Sequence, residues 1–349
     1  MPSKVIFAAD YLVSWGKDIL LKAGLSEKEA MLVSENLVAS NLSGVDTHGI
    51  IRIIPYAERV MKLKRQPISI IRETEATALI DGGQNLGQLV SVFAMDKAIE
   101  KAKKYGIGMA SVRNSNHFGT AAYYTIMASR QEMIGVSATN ASARIAPWGG
   151  ADAIVGNNPF SFAIPGPDFP IVLDMATSAV AAGKIRIAAR EGKPIPSEWG
   201  MDENGNPTTD PHEALKGLLA PIGGYKGVGL SVIMDLICGA LSQNGFSNTI
   251  ERIDHTDKTQ RAGHFFMAIN VAFFLDINEF KTLIKEYTER FKSVRKREGF
   301  DEVFMPGEIE WKMEQELRAK GIPLSSKEVA ELNSLAQNLN VMELKGQEA

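Results

Sequence analysis

The chain has 349 residues, which is enough for two domains or for one large domain with an additional lobe. With 45% hydrophobic and 23% charged residues it has the composition of an ordinary globular protein, and its net charge of −3 gives no electrostatic reason to expect binding to nucleic acid or to an anionic membrane. The single cysteine, Cys238, excludes an intrachain disulfide and favours a cytoplasmic protein. The longest apolar stretch, 228–241, contains Asp235 and is too short to span a bilayer, and Asp10 interrupts the only N-terminal run that could resemble a secretory signal.

The first part of the chain has the apolar spacing of helices. One predicted helix ends near Gly24, and Ser26 with Glu29 forms a capping box that starts a second helix. A third helix is predicted over 51–63. The loop before it, 43–49, reads Ser-Gly-Val-Asp-Thr-His-Gly.

The middle of the chain alternates between extended and helical patterns. Asp81-Gly82-Gly83 predicts a turn, and 194–211 is rich in Pro, Gly, Asn and Asp, which is typical of a long ordered loop. The predicted strands are 68–80, 107–112, 133–139, 160–164 and 171–173, and the predicted helices are 86–104, 121–130 and 178–190.

The last part combines one strand with several helices. The strongly apolar segment 228–242 predicts a buried helix, and 264–275 has the pattern of a strand. A charged amphipathic helix is predicted over 278–297, and Ser325 with Glu328 forms a capping box that starts a final helix.

This order of elements predicts an α/β fold with a central mixed sheet and a discontinuous, mainly helical second lobe. We expect residues 1–66 to form the first part of the lobe, 67–225 the central cofactor-binding domain, and 226–349 the second part of the lobe, including the strand near 264–275.

A polar cluster, 113–117, follows the strand 107–112 and precedes a helix. Open α/β sheets place their ligands at the carboxyl ends of strands. His117 is the residue of this cluster that could exchange a proton near neutral pH. The alternative interpretation is a loop histidine without a chemical role.

A second candidate site is the segment from Asp46 to Arg52. The carboxylate of Asp46 could orient the imidazole of His48 and raise its pKa, although Asp46 could instead cap the following helix. Arg52 follows His48 by four residues, so both would share one face of a helix, and the arginine fork suits a carboxylate ligand. The alternative for Arg52 is a surface arginine.

The third candidate is the glycine-rich segment 223–227, which contains Lys226. Glycines at a helix start allow backbone N–H groups to approach an anion, although a plain turn is the alternative. The standard dinucleotide fingerprint is missing, since Gly106 and Gly108 start a strand instead of following one. No pair of histidines has the spacing of a zinc motif, so we expect no metal.

Together these segments resemble the malate/L-lactate dehydrogenase family of the non-Rossmann type, which includes ureidoglycolate, sulfolactate and diketogulonate dehydrogenases and cyclic ketimine reductases. Six segments in the family's order carry the resemblance. They are SGVDTHGIIRIIPY (43–56), SVRNSNHFGTAAYY (111–124), GNNPFSFAIP (156–165), LDMATSAVAAGKI (173–185), GNPTTDP (205–211) and GGYKGVGL (223–230).

The resemblance implies an NAD- or NADP-dependent oxidoreductase of small 2-hydroxy or 2-oxo acids, usually a homodimer. It assigns proton transfer to His48 or to His117, and substrate contacts to Arg52, Tyr56 and Ser43. The positions that match cofactor contacts in the family are Asn140, Asp174, Met175, Ala176, Lys226, Pro306, Gly307 and Glu308.

Elementary chemistry agrees with this implication, because oxidation of a 2-hydroxy acid needs a base, a carboxylate clamp and a hydride acceptor. We therefore expect a dehydrogenase of malate, lactate or ureidoglycolate type. The alternatives are a reductase of a cyclic imine carboxylate or a diketo sugar acid, a metal-dependent lyase or hydrolase using the two histidines, and a binding protein without catalysis.

Overall fold

The computed structural model describes residues 4–348, with the side chain of residue 348 left out. The N-terminal elements build most of the helical lobe. They are β1 (Lys4–Phe7), α1 (Ala9–Ala23), α2 (Glu27–Leu42), two single 3₁₀ turns (Asp46–His48 and Ile50–Arg52) and α3 (Ile53–Lys62). Gly24 ends α1 in the left-handed conformation, with φ of 111°, and the predicted capping box of Ser26 and Glu29 starts α2.

The middle of the chain supplies most of the central sheet. Its elements are β2 (Ser69–Glu73), β3 (Thr77–Asp81), α4 (Gly87–Tyr105), β4 (Ile107–Ser115), α5 (Ala122–Ser129), β5 (Met133–Thr139), β6 (Phe160–Ile164) and β7 (Ile171–Met175). The extended segment predicted over 68–80 is thus a hairpin of two strands, with Thr74 and Thr77 closing the turn.

The remaining elements contribute to both the central sheet and the helical lobe. They are α6 (Ala182–Glu191), β8 (Gly200–Met201), α7 (Pro211–Lys216), β9 (Leu218–Leu219), α8 (Tyr225–Gly239), β10 (Ala262–Asn270), α9 (Ile277–Lys292), α10 (Glu308–Lys320), β11 (Ile322–Ser325), α11 (Ser326–Asn338) and β12 (Gln347–Glu348). Helix α6 starts later than predicted, because Ser178 forms a bridge with Pro221. None of the helices within residues 4–348 is long and apolar enough to cross a membrane.

Seven strands form the central sheet in the order β2-β3-β4-β10-β5-β6-β7. Only β3 and β4 are parallel, and the other neighbours are antiparallel, so the predicted mixed sheet is confirmed. Strand β10 lies in the middle, between β4 and β5, and both Phe266 and Ala268 are fully buried. The helical lobe expected from the sequence includes this strand, whereas the structure makes it a central strand of the sheet.

The two ends of the chain meet in one hydrophobic core. Leu12, Ile19 and Leu37 pack in the same cluster as Leu332 and Ala336. Strands β1, β11 and β12 form a small antiparallel sheet beside this core, and the sequence analysis predicted none of the three. The contact between the ends supports a discontinuous lobe, while its exact boundaries stay a proposal.

Helix α8 differs from its prediction in burial. One side is buried through residues that include Val228 and Cys238, but Ile233 and Leu236 are 51% and 46% exposed. Helix α8 is therefore only partly buried within the chain, although its sequence is strongly apolar.

Candidate active site

The loop with the predicted catalytic residues is held by a buried side chain of α2. The amide nitrogen of Asn41 donates to the carboxylate of Asp46 at 2.7 Å, and the amide oxygen of Asn41 accepts from the backbone N–H of Ile50 at 2.7 Å. A Cβ at Gly49 would lie 2.3 Å from that amide oxygen, so a glycine is required there. Asn41 thus fixes both 3₁₀ turns. Its role is not predictable from the sequence, because a lone asparagine on a helix carries no motif.

Asp46 does not have the geometry that its spacing predicted. Its carboxylate bonds to Asn41, while Nδ1 of His48 lies 3.0 Å from the hydroxyl of Thr47. Partial loss of hydration raises the pKa of Asp46, whereas burial and the charge of Arg52 lower the pKa of His48. The structure therefore makes Asp46 a partner of Asn41, and the predicted Asp46–His48 pairing is wrong.

His48 and His117 come together although they are far apart in sequence. Their rings stack with centroids 5.4 Å apart and planes inclined by 23°. Burial lowers the pKa of His48 to about 4, and the positive charge of Arg52 acts in the same direction. Burial also holds the pKa of His117 well below its usual range, and the charges of the neighbouring His48 and Arg52 lower this pKa further. Both rings are neutral at pH 7 in the protein without a ligand.

Three groups fix the ring and backbone of His117. The hydroxyl of Tyr56 lies 2.6 Å from Nδ1, the N–H of Gly119 points to the same nitrogen at 3.3 Å, and the side chain of Gln260 accepts from the His117 backbone at 2.8 Å. A backbone N–H can only donate, so Nδ1 is an acceptor and the neutral ring carries its proton on Nε2. Burial raises the pKa of Tyr56 to about 12, which keeps its hydroxyl a donor.

Arg52 lies beside the two histidines, but it does not share one continuous helix with His48. Gly49, in extended conformation with ψ of −159°, separates their two 3₁₀ turns. Nε of Arg52 donates to the carbonyl of Thr47 at 2.6 Å. This bond anchors the guanidinium and leaves its two terminal nitrogens for a ligand. Ser43, another predicted substrate contact, ends α2 and donates its hydroxyl to the carbonyl of Ala39 at 3.1 Å.

Three of the predicted cofactor segments meet around β7. The carboxylate of Asp174 accepts from the first N–H of α5, at Ala122, at 2.8 Å. Thr177, directly after Ala176, accepts from the N–H of Ile222 at 2.9 Å, which joins this segment to the turn before Lys226. The carbonyl of Pro306 accepts from Val172 of β7 at 3.0 Å. The resemblance thus selected segments that are close together in space.

Several features of these segments fit a dinucleotide. Gly223 and Gly224 both have positive φ at the start of α8, and a Cβ at Gly223 would meet nothing within 4 Å. Lys226 is exposed, and no hydrogen bond or ion pair holds its amine among the described residues. Open backbone N–H groups at a helix start, next to a free cation, suit the phosphates of such a ligand.

Two predicted cofactor contacts, Asn140 and Glu308, have side chains that are bonded to other groups of the protein. Asn140 is buried, donates to Asp235 at 2.9 Å and to the carbonyl of Gly245, and accepts from the N–H of Gly263. Glu308 is 3% exposed and pairs with Lys292 and Lys312. Both side chains are therefore saturated inside the protein. Met175 and Gly307 lie on the same edge, where Gly307 packs closely against Val172.

His264 of β10 is a fully buried core residue. Its two ring nitrogens bond to the hydroxyls of Thr139 and Ser115, each at 2.8 Å. Burial lowers its pKa to about 3.

Comparisons with known proteins show the family of the chain. The family model described as malate/L-lactate dehydrogenase matches residues 7–333. The chain is 40% identical to a malate dehydrogenase of Pyrococcus horikoshii over 344 residues, which is 95% of each chain. It is 37% identical to a malate/(S)-sulfolactate dehydrogenase of Methanothermus fervidus over 326 residues, 93% of this chain and 95% of the relative.

A solved structure shows the same fold. The sulfolactate dehydrogenase of Methanocaldococcus jannaschii superposes with a TM-score of 0.91 at 35% identity, over 96% of this chain and 98% of that chain. The predicted α/β fold and family resemblance are confirmed. The chain therefore belongs to the malate/L-lactate dehydrogenase family and is a hydroxy acid dehydrogenase.

Proposed function

We propose that the protein interconverts a small 2-hydroxy acid and the corresponding 2-oxo acid with NAD or NADP. The observation that carries this proposal is the stacked pair of His48 and His117 beside the anchored guanidinium of Arg52. The pair can exchange a proton with the C2 oxygen, and the guanidinium can hold the carboxylate on the neighbouring carbon.

Arg52 is the proposed carboxylate clamp. The bond from Nε to the Thr47 carbonyl fixes the plane of the guanidinium. Both terminal nitrogens can then bind the two oxygens of one carboxylate, which orients C2 toward the histidines.

The histidines are the proposed proton-transfer groups. A substrate carboxylate beside them favours the imidazolium form, so substrate binding raises pKa values that are low in the free protein. Tyr56 is buried behind His117, and we assign it the role of positioning that ring. Either His48 or His117 can be the residue that transfers the proton.

A nicotinamide cofactor supplies hydride transfer when it is bound. The residues proposed to hold it are Asp174, Met175 and Ala176, Lys226 at the start of α8, and Pro306 and Gly307. Asn140 and Glu308 are proposed to position these segments, since their side chains are engaged within the protein.

We also propose a homodimer. On α8, Ile233 and Leu236 are about half exposed, and α9 has no fully buried residue although Leu283, Tyr287 and Phe291 line one face of it. Such apolar faces on two helices favour a protein partner. A cytoplasmic location is proposed as well, because the single cysteine, Cys238, is buried and the fold uses no disulfide within the chain.

The proposal is tested with purified protein and a panel of 2-oxo acids and cyclic imine carboxylates, followed by the absorbance of NADH and NADPH. We expect reduction of at least one 2-oxo acid, also after full chelation of metals. His117→Ala should lower kcat by about a hundredfold or more, the size typical of general acid–base catalysis.

Phe118→Leu, which changes the neighbouring buried ring and not the proton chemistry, is the control for damage to the fold. Normal kcat in a folded His117→Ala protein would show that His117 is not the proton-transfer residue and would leave His48 as the candidate. A wild-type protein that reduces no 2-oxo acid with either cofactor would contradict the proposed function.

A further inference from the structure

A second cluster of cationic side chains lies outside the histidine pair, around a separate cavity. Three arginines line a cavity of about 260 Å³, together with small and apolar residues from α6 to β9. The arginines are Arg144, Arg186 and Arg252.

The positive charge of this cavity is only partly balanced. Asp254 binds Arg252 through two bonds of 3.0 and 2.8 Å. No hydrogen bond or ion pair to the guanidinium of Arg144 or of Arg186 occurs within residues 4–348. One acid thus faces three cations, in a chain whose net charge is −3.

Such a cluster is unfavourable without an anion. Burial and the neighbouring arginines lower the pKa of Arg144, and the same causes, with Arg52 among the neighbours, lower the pKa of Arg186. Like charges gathered around a cavity repel one another, and a bound anion removes this repulsion. A purely structural role would call for acidic partners, of which Asp254 is the one present.

The cavity is connected to the proposed active site by the segments that carry its arginines. Arg186 is on α6, whose Gly183 packs against Thr47 so closely that a Cβ there would lie 3.0 Å from the threonine methyl. Arg252 is on the segment that leads to Gln260, the acceptor for the His117 backbone. The cavity therefore adjoins the loop that holds His48 and Arg52.

As the proposed carboxylate clamp, Arg52 can bind only one acidic group of a substrate. We propose that the cavity of Arg144, Arg186 and Arg252 binds a second anionic group, a carboxylate or a sulfonate at the far end of the 2-hydroxy acid, and so selects dianionic substrates. This inference rests on the proposed function and adds the class of substrate. It agrees with the names of two similar proteins, a malate and a sulfolactate dehydrogenase, since malate carries two carboxylates and sulfolactate a carboxylate and a sulfonate.

The kinetic test compares dianionic with monoanionic substrates at saturating cofactor. The dianions are oxaloacetate and 3-sulfopyruvate, and the monoanions are pyruvate and 2-oxobutyrate. In Arg186→Gln and in Arg144→Gln, the ratio of kcat/KM for dianions to that for monoanions should fall tenfold to hundredfold, the worth of a lost hydrogen bond between charged groups. Arg190→Gln removes an arginine from the same helix outside the cavity lining, and its ratio should stay within threefold of the wild-type ratio.

A binding test gives a readout without turnover. Calorimetric titration should show that the wild-type protein binds succinate at least tenfold more tightly than butyrate, and that Arg186→Gln loses this preference. Comparison of oxaloacetate with 3-sulfopyruvate distinguishes a carboxylate from a sulfonate as the preferred distal group.

Three results with the variants would overturn the inference. They are an equal loss for dianions and monoanions in both cavity variants, a loss confined to the KM of the nicotinamide, and a preference for succinate that persists in both variants. A wild-type protein that reduces pyruvate as efficiently as oxaloacetate would also overturn it but would leave the proposed function intact. Only failure with every 2-oxo acid would count against the function itself.

Discussion

Asn41 shows how one buried amide can organise the proposed site. Its two polar atoms bind Asp46 and Ile50, which lie on successive turns of the loop that carries His48 and Arg52. A buried amide that loses a partner retains the cost of its lost hydration, about 1–3 kcal/mol. We therefore expect Asp46 to stabilise the loop through its bond to Asn41, and not to change the protonation of His48.

Asp46→Asn tests this role. Asparagine keeps an oxygen that can accept from the Asn41 amide, so kcat should stay within about threefold of wild type and the pH dependence of kcat/KM should not move. Asp46→Ala removes the acceptor and should destabilise the protein by about 1–3 kcal/mol. Activity across pH 5–9 and urea unfolding are the measurements. A displaced pH profile in Asp46→Asn would restore the charge effect on His48 that the sequence predicted.

Arg52→Lys tests the carboxylate clamp. Lysine keeps the charge, but it loses both the fork and the bond from Nε to the Thr47 carbonyl. We expect normal folding and a loss of about a hundredfold in kcat/KM for 2-oxo acids, because a misplacement of about 1 Å can cost that much. The loss should be much smaller for a carbonyl substrate that lacks the carboxylate.

Arg113 and Arg186 are the alternatives for the clamp if Arg52→Lys lowers the rate for acid and non-acid substrates alike. The first is an unfavourable candidate, since its Nε binds Asp81 at 3.0 Å. The guanidinium of Arg186 has no hydrogen bond or ion pair within residues 4–348, so it can bind a ligand. Its variant in the cavity experiment separates loss at the reacting end of the substrate from loss at the distal end.

At the scale of elements, α8 joins two proposed functions. Its start, with Gly223, Gly224 and Lys226, faces the cofactor segments, while its middle exposes Ile233 and Leu236. If a second copy covers this face, association of the chains also fixes the helix that contributes to the cofactor site.

Ile233→Glu tests the proposed dimer. A charge in the middle of an apolar contact should weaken association at least tenfold, since a buried unpaired carboxylate is costly. Sedimentation velocity over a range of concentrations measures the effect. Ile71→Glu, at a similarly exposed position of β2, is the control and should sediment like the wild type. A wild-type chain that sediments as a monomer at all concentrations would exclude the dimer.

Local patterns predicted the elements that depend on local chemistry. The capping boxes at Ser26 and Ser325 start α2 and α11 as expected, and β5 and β6 have the predicted bounds. Strand β1 was missed because its four residues gain a defined structure only by pairing with β11, more than 300 positions later. Short strands that pair over such distances leave no periodic signal.

At the scale of the whole molecule, the fold brings residues together that no spacing could relate. Motifs identified His48 and His117 separately, but their stacking depends on how α2 and the sheet pack. Gln260 and the arginine cavity were missed because their residues come from distant segments without a shared motif. Conversely, the resemblance suggested Asn140 and Glu308 as cofactor contacts, and only the structure shows that their side chains have internal partners.

Three histidines, of which His264 is buried and His48 and His117 are half-buried, should make the stability of the whole molecule depend on pH. In the folded protein the pKa values of His48, His117 and His264 all lie below the usual value for histidine. The pKa is about 4 for His48 and about 3 for His264. Below about pH 6.5 the unfolded chain binds protons that the folded chain does not. The free energy of unfolding should therefore decrease as the pH falls from about 6.5 toward the folded pKa values, by about 1.4 kcal/mol per pH unit for each such histidine. Asp174 opposes this trend, since partial loss of hydration raises its pKa to about 6 and protonation then favours the folded state.

His264→Gln isolates one of these contributions. The residue is fully buried, and glutamine can still bond to the hydroxyls of Ser115 and Thr139 without taking up a proton. Urea unfolding at pH 7, 6 and 5, at one protein concentration, should give a variant whose stability falls less steeply than that of the wild type, by about 1.4 kcal/mol per pH unit. His212→Gln, at an exposed position of α7, should leave the wild-type slope unchanged. If the slopes of His264→Gln and the wild type coincide, His264 takes up its proton without unfolding, and acid sensitivity must come from the two stacked histidines and the carboxylates.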